Sequence, residues 1–263
     1  MSKVLLVSIT AFALAVIASL CVSCAASAAE KGFDAANPDF VKIMDFFIEK
    51  EVDERNSSML NAKQRELIKI ASLTTQQSYE LLKRETAKAL ELGLTPIEIK
   101  EAAMQCAPYS GFPRAADALK AIDEVFAAKK IAIPLKTRAT VNNDTRFAKG
   151  LDAQSAIFGD GMRERAKGGP AKMTPINYYL VTNCFGDYYT REGLDLATRE
   201  MLTLVILVNL GTEPQIKAHI NGNKNMGCGK DFIAAMIYEC LPYMGYPRTL
   251  NALACLNDVF DKK

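Results

Sequence analysis

Between Thr198 and Leu210, the residues Met201, Leu202, Leu204, Val205, Ile206, Leu207 and Val208 leave no polar face, the pattern of a helix buried on every side. Arg199 and Glu200 stand at its entrance, and Gly211 supplies a C-terminal stop. Thr212-Glu213-Pro214-Gln215 reads as the start of the next helix, with Thr212 as N-cap and Gln215 reaching back in a capping box. Helical spacing recurs from Pro38 to about Val52, from Ala62 to Leu73, from Ser78 to Leu92, from Thr95 to Cys106 and from Pro113 to Phe126. β-Branched residues fall within that spacing and not in alternating runs, so the chain is predicted to be all-α. The link from Ala127 to Met173 carries loop residues, with one extra helix expected over Thr145–Lys167.

The pattern occurs twice. Pro108-Tyr109-Ser110-Gly111-Phe112-Pro113-Arg114 returns as Pro242-Tyr243-Met244-Gly245-Tyr246-Pro247-Arg248, an offset of 134 residues. The same offset maps Cys106 onto Cys240, Gly93 onto Gly227 and Arg65-Glu66 onto Arg199-Glu200 without a gap. Such agreement at one register identifies a tandem duplication. The expected organisation is a first unit over 40–130, a linker over 131–145 and a second unit over 146–263.

The amino terminus has a different character. Lys3, an apolar run from Val4 to about Val22 and the small residues that follow describe a secretory leader over residues 1–28, cleaved after Ala28. An uncleaved anchor and a lipid-modified Cys24 are the other options, and all three place the protein outside the cytoplasm. No later stretch is apolar enough to span a membrane. Removing the leader takes away Lys3 alone and leaves a charge near +1, which gives no footprint for nucleic acid. Five cysteines remain, Cys106, Cys184, Cys228, Cys240 and Cys255, none in a C-x-x-C, so neither a metal knuckle nor a dithiol redox motif is expected. Cys106 and Cys240 read as buried packing cysteines or, alternatively, as a thiol pair between units. Tyr109 and Tyr243 read as core rings with bonded hydroxyls.

His219 is the only histidine in 263 residues, and an imidazole on a helix packed against a buried one suits acid–base chemistry near neutral pH. The alternative is a structural histidine satisfied inside the core.

Residues 146–263 resemble a whole subunit of the carboxymuconolactone decarboxylase family, which includes the alkylhydroperoxidase D-like proteins. The resemblance rests on Arg146-Phe147-Ala148-Lys149-Gly150-Leu151, Thr190-Arg191-Glu192-Gly193-Leu194-Asp195, Arg199, Leu210-Gly211, His219 and Tyr243-x-Gly245-x-Pro247. Residues 40–130 look like a shorter copy. The resemblance implies an all-helical fold, a cofactor-free site for a small molecule, and a homo-oligomer, a trimer of two-unit chains. The family's thiol peroxidases carry a glutamate, cysteines twelve and fifteen places later, and a histidine at nineteen. Here Glu200 and His219 keep that spacing, but Thr212 and Gln215 occupy the cysteine positions. In the first unit Glu66 is followed by Ser78, Leu81 and Glu85. The family's peroxidase route therefore lacks its thiols.

A decarboxylase needs a proton donor for the dienolate left by CO2 and donors for the substrate's carboxylate. The expected assignments are His219 as acid/base, Glu200 orienting it, and Arg199, Gln215 and Arg248 binding substrate. The family's decarboxylases place an acidic residue where Gln215 stands. The competing expectations are an oligomeric scaffold or binding protein without chemistry, and a peroxidase using other cysteines.

Overall fold

The computed structural model describes residues 33–261. The leader expected over residues 1–28 lies outside them. Among the described residues all regular structure is helical, as the spacing predicts. The first unit opens with α1 (Pro38–Asp45), which continues through a π-helical stretch, Phe46–Asp53, into the turn Glu54–Asn56. It is followed by α2 (Ala62–Gln76), α3 (Tyr79–Glu91), α4 (Pro96–Gln105), the single turn α5 (Ala107–Ser110) and α6 (Phe112–Ala128). After the linker the second unit opens with α7 (Arg146–Phe158) and α8 (Gly161–Arg165), then α9 (Pro175–Tyr179), which widens into a second π-helix, Leu180–Tyr189. The second unit closes with α10 (Leu196–Leu210), α11 (Glu213–Asn225), α12 (Lys230–Met244) and α13 (Tyr246–Asp261). The helix expected over Thr145–Lys167 is split because Gly159 turns the chain at φ +86°.

The duplication is visible in the backbone. The bounds of α2 and α3, moved by the 134-residue offset, are those of α10 and α11, and both π-helices begin at matched residues, Phe46 and Leu180. The corner after α10 uses Gly211 at φ 75°, and its counterpart Gln77 adopts φ 61°, the left-handed region that glycine enters at lower cost.

Helix starts follow from local chemistry. Asn61 with Gln64, and Thr95 with Glu98, form reciprocal capping boxes, and Asp195 accepts from the Thr198 amide. The box expected at Thr212 and Gln215 does not form. Thr212 sits at ψ 79°, outside the extended region that aims a hydroxyl at the third helical amide, and its hydroxyl turns toward the Leu207 carbonyl. Its counterpart Ser78 has nearly the same backbone angles and also makes no cap.

One core serves both units. α2 and α10 pack together at its centre, α12 packs on α2, and α4 and α5 pack on α10. Leu202, Leu204, Val205, Ile206 and Val208 of α10 are each at most 1% exposed, so this helix is enclosed as its composition predicts. Each such side chain contributes about 1.5–3 kcal/mol by leaving water. Polar bonds fix the register of the crossing: Gln76 Nε2 donates to Asn209 Oδ1 at 3.0 Å, and Asn209 Nδ2 donates to Ser72 Oγ at 3.0 Å. No described helix is long and apolar enough to cross a membrane.

α7 has no counterpart among the described residues of the first unit, and two glycines explain its docking. A Cβ at Gly150 would collide with the Val181 carbonyl and lie 2.7 Å from the Gly186 nitrogen, so α7 and the second π-helix touch backbone to backbone. In the first unit Val52 stands at the position of Gly186. There Phe47 and Val52, with Asn56, Tyr238 and Leu241, line an open cavity of about 550 Å³. Gly150→Ala is therefore expected to lower stability by about 1–3 kcal/mol and to expose the link over 131–174 to proteolysis. Thermal unfolding with limited digestion checks this; wild-type stability and protection would show that the contact does not hold α7.

Candidate functional site

α10 and α11 turn back on each other at Gly211, which brings Glu200 and His219 face to face. Glu200 is fully buried and His219 is 8% exposed. Their approach depends on Gly222, one turn after His219. A Cβ there would overlap Glu200 Oε1 and lie 2.9 Å from Ile157 Cγ2. Asn223 Nδ2 donates to the backbone carbonyls of Glu200, at 3.1 Å, and His219, at 2.9 Å, which locks the two helices at this level. His219 Nδ1 then stands 2.7 Å from Glu200 Oε1.

The other carboxylate oxygen is met by the second π-helix. Tyr189, its last residue, donates to Glu200 Oε2 at 3.1 Å and shares a 2.5 Å contact with Thr203 Oγ1. The Tyr109 hydroxyl, from α5 of the first unit, lies 2.9 Å from that of Tyr189, and Cys184 Sγ donates to it at 3.3 Å. Gln105, also from the first unit, donates to Thr203 Oγ1 at 3.2 Å. Burial pushes the Cys184 thiol up to about 12 and holds both phenols well above their ordinary value, so all three are protonated donors at neutral pH. The imidazole lies edge-on to Phe158 of α7 at 5.3 Å and to Tyr109 at 5.9 Å between ring centroids. His219 thus has the neighbouring acid a catalyst needs, with only 10% of its side chain open.

The structure separates the remaining sequence candidates. Arg199, expected to meet substrate, is 0% exposed and turns away from His219. Its guanidinium bonds Glu101 Oε2 at 2.9 Å, Gln105 Oε1 at 3.1 Å and the Arg191 carbonyl at 2.9 Å, and an arginine beside an apolar helix must be paired in this way. It holds the units together and is not placed to bind a ligand. Gln215 is exposed, one turn before His219 along the same helix. Arg248 is exposed at the start of α13, packs beside Gly211 and reaches Gln76 Oε1 at 3.4 Å. Lys217, a further cation on the helix of His219, is tied to Asp258. Cys106 and Cys240 are fully buried, donate to carbonyls of Ala102 and Met236, and have thiols pushed by burial to about 12, which suits packing and not nucleophilic attack. Sequence reasoning passed over Tyr189, Thr203 and Cys184. Tyr109 had a signal, the repeated Pro-Tyr-x-Gly motif, but its partner lies 80 residues away.

Comparison with known proteins identifies the family. Residues 38–124 and 177–258 each match the model of the carboxymuconolactone decarboxylase family. The chain is 25% identical over 124 residues to a 4-carboxymuconolactone decarboxylase of Acinetobacter baylyi, covering 46% of this chain and 90% of that protein. It is also 25% identical over 121 residues to nitrosuccinic acid decarboxylase npaB of Metarhizium robertsii, covering 44% of this chain and 85% of that protein. Each relative is thus nearly spanned by less than half of this chain.

The first matched stretch contains a counterpart of the site without its imidazole. At the positions of Glu200, Thr203, His219 and Tyr109 stand Glu66, Lys69, Glu85 and Tyr243. Lys69 is fully buried and bonds Asp53 at 2.8 Å and Glu66 at 3.2 Å. Burial alone would lower its affinity for a proton, but Glu66 and Asp53 carry it above the ordinary lysine value. Glu66 is pushed up to about 7, chiefly by burial. The Tyr243 hydroxyl is buried with no hydrogen-bond partner, unlike that of Tyr109. Glu239 of α12 accepts from Asn56 at 3.0 Å and is pushed up to about 8, by burial first and then by Asp53. Asp53 Oδ1 and Glu239 Oε1 both lack a donor unless one proton sits between them.

The raised Glu239 carboxyl sets a pH dependence. A carboxyl whose folded-state value is raised stabilises the fold fully below its unfolded value, and the contribution is lost as pH rises through the folded value. For Glu239 the window runs from the ordinary 4.5 to about 8. Wild-type stability should therefore fall by on the order of 2 kcal/mol more between pH 5 and pH 9 than that of Glu239→Gln, which keeps both hydrogen bonds without a titrating proton. Thermal unfolding across that range reads the difference; parallel profiles would mean that no proton is shared.

Proposed function

Because the chain belongs to the carboxymuconolactone decarboxylase family and keeps one imidazole–carboxylate pair, we propose that its second unit performs decarboxylase-type proton transfer on a small anionic or lactone-like substrate. The observation that carries this reading is the 2.7 Å contact between His219 Nδ1 and Glu200 Oε1 at the bottom of the α10–α11 hairpin. With Nδ1 committed to Glu200, Nε2 is the nitrogen left to exchange a proton with substrate. Loss of CO2 leaves electrons that must be held as a dienolate and quenched at carbon. Imidazolium delivers that proton, and Glu200 beside it stabilises the charged ring. This chemistry calls for neither metal nor cofactor. The two relatives' names describe removal of a carboxyl group from small acids, and the same class of substrate fits here.

Gln215 and Arg248 remain the proposed contacts for the substrate's carboxylate, since both stand at the exposed end of the hairpin. We extend the proposal to an exported protein, on the leader-like character of residues 1–28, and to a homo-oligomer in which three copies give six units. The second reading, a scaffold without chemistry, is favoured by one observation, the 8% exposure of His219.

CO2 release from 4-carboxymuconolactone and from nitrosuccinic acid tests the proposal. His219→Gln should lose at least about 100-fold in kcat, the scale of general acid–base catalysis, with fold and assembly retained. Gly222→Ala, which displaces the Glu200 carboxylate, should lose activity in the same direction. Equal turnover by His219→Gln, or no CO2 from either acid with wild type, would contradict the proposal and leave the scaffold.

A further inference from the structure

The hydrogen bonds around Glu200 have a direction. A carboxylate only accepts, so Tyr189 must give its one proton to Glu200 Oε2. The Tyr189 oxygen then has two lone pairs, and two hydroxyls lie within reach, Thr203 at 2.5 Å and Tyr109 at 2.9 Å. Both must donate to it. Thr203 accepts in turn from Gln105 Nε2 at 3.2 Å, and Tyr109 accepts from the Cys184 thiol at 3.3 Å. Every hydroxyl therefore donates once, and every donation runs toward the same carboxylate. Successive donors in a buried chain polarise one another, so a distant member changes the strength of the last bond.

We propose that Tyr109 of the first unit is a positioning residue for the second unit's site, acting through Tyr189 to set how strongly Glu200 holds the Nδ1 proton of His219. The first unit is then part of the site and not only its support. It supplies Tyr109 at one end of the relay and Gln105 at its side branch, and the second unit alone would leave Tyr189 and Thr203 short of donors. Tyr109 touches the imidazole only edge-on, so its influence passes through the hydroxyl chain. The converse arrangement lacks this property: Tyr243 reaches toward the first unit's acidic cluster with its hydroxyl unbonded. The proposal rests on the proton-transfer reading of His219 for its consequence in catalysis, but not for its geometry.

The chain's single histidine gives a single Nδ1–H proton resonance, so the relay can be read without turnover. With Tyr109→Phe, Tyr189 loses a donor, its bond to Glu200 weakens, and Glu200 pulls harder on the imidazole proton. The resonance should move downfield, and further downfield with Tyr189→Phe. Cys184→Ala, which leaves both phenols in place, should move it the same way by less. Tyr243→Phe should leave it where it is. In turnover, Tyr109→Phe should lower kcat about fivefold at unchanged KM, the worth of one hydrogen bond. An unmoved resonance in folded Tyr109→Phe and Cys184→Ala, or an equal movement in Tyr243→Phe, overturns the relay. If the resonance moves as expected while His219→Gln turns over normally, the relay stands and the proposed function fails.

Discussion

A carboxylate with no solvent contact, set in the wall of an almost wholly apolar helix, is the constraint around which the second unit is built. Glu200 leaves water at a cost of several kcal/mol unless donors replace it. The site consists of those replacements. His219 meets one oxygen and Tyr189 the other, while Gly222 keeps a side chain out of the gap and Asn223 fixes the backbones that carry both partners. Its neighbour Arg199 is buried with the opposite requirement and solves it in the opposite direction, toward Glu101 and Gln105. Two adjacent charges on α10 thus meet two different sets of partners, and the helix could not turn without stranding one of them.

The same slots in the first unit show how a duplicated site changes. Lys69 replaces Thr203 and supplies a buried cation directly to Glu66, while Glu85 replaces His219. The result is a cluster in which Lys69 answers Glu66 and Asp53, while burial raises Glu66 and Glu239 above the ordinary carboxyl range. No described helix covers the first unit's π-helix, and Val52 stands at the position where Gly186 lets α7 approach. One copy has an imidazole under a docked helix. The other has an open cavity beside a self-paired acidic core.

Much of this was legible in sequence. The repeat register predicted matching helices, since an uninterrupted offset leaves no room for different loops. The pairing of Glu200 with His219 followed from family resemblance and from a glycine corner between two helices. Tyr109, Tyr189 and Cys184 were not legible as a set, because no local period connects residues brought together only when α5 of one unit packs on α10 of the other. Arg199 was misread for the same reason: spacing places it at a helix entrance but cannot say that Glu101, 98 residues earlier, faces it. The Thr212 box failed on a backbone angle, ψ 79°, that residue types alone do not determine.

The central claim is that Glu200 commits Nδ1 of His219 and leaves Nε2 for chemistry. The ¹⁵N shifts of the one imidazole, measured in its neutral form, read this directly. The account predicts a protonated Nδ1 and an Nε2 with a free lone pair, a tautomer that Glu200→Gln no longer enforces. A neutral ring carrying its proton on Nε2, unchanged by that substitution, would contradict it.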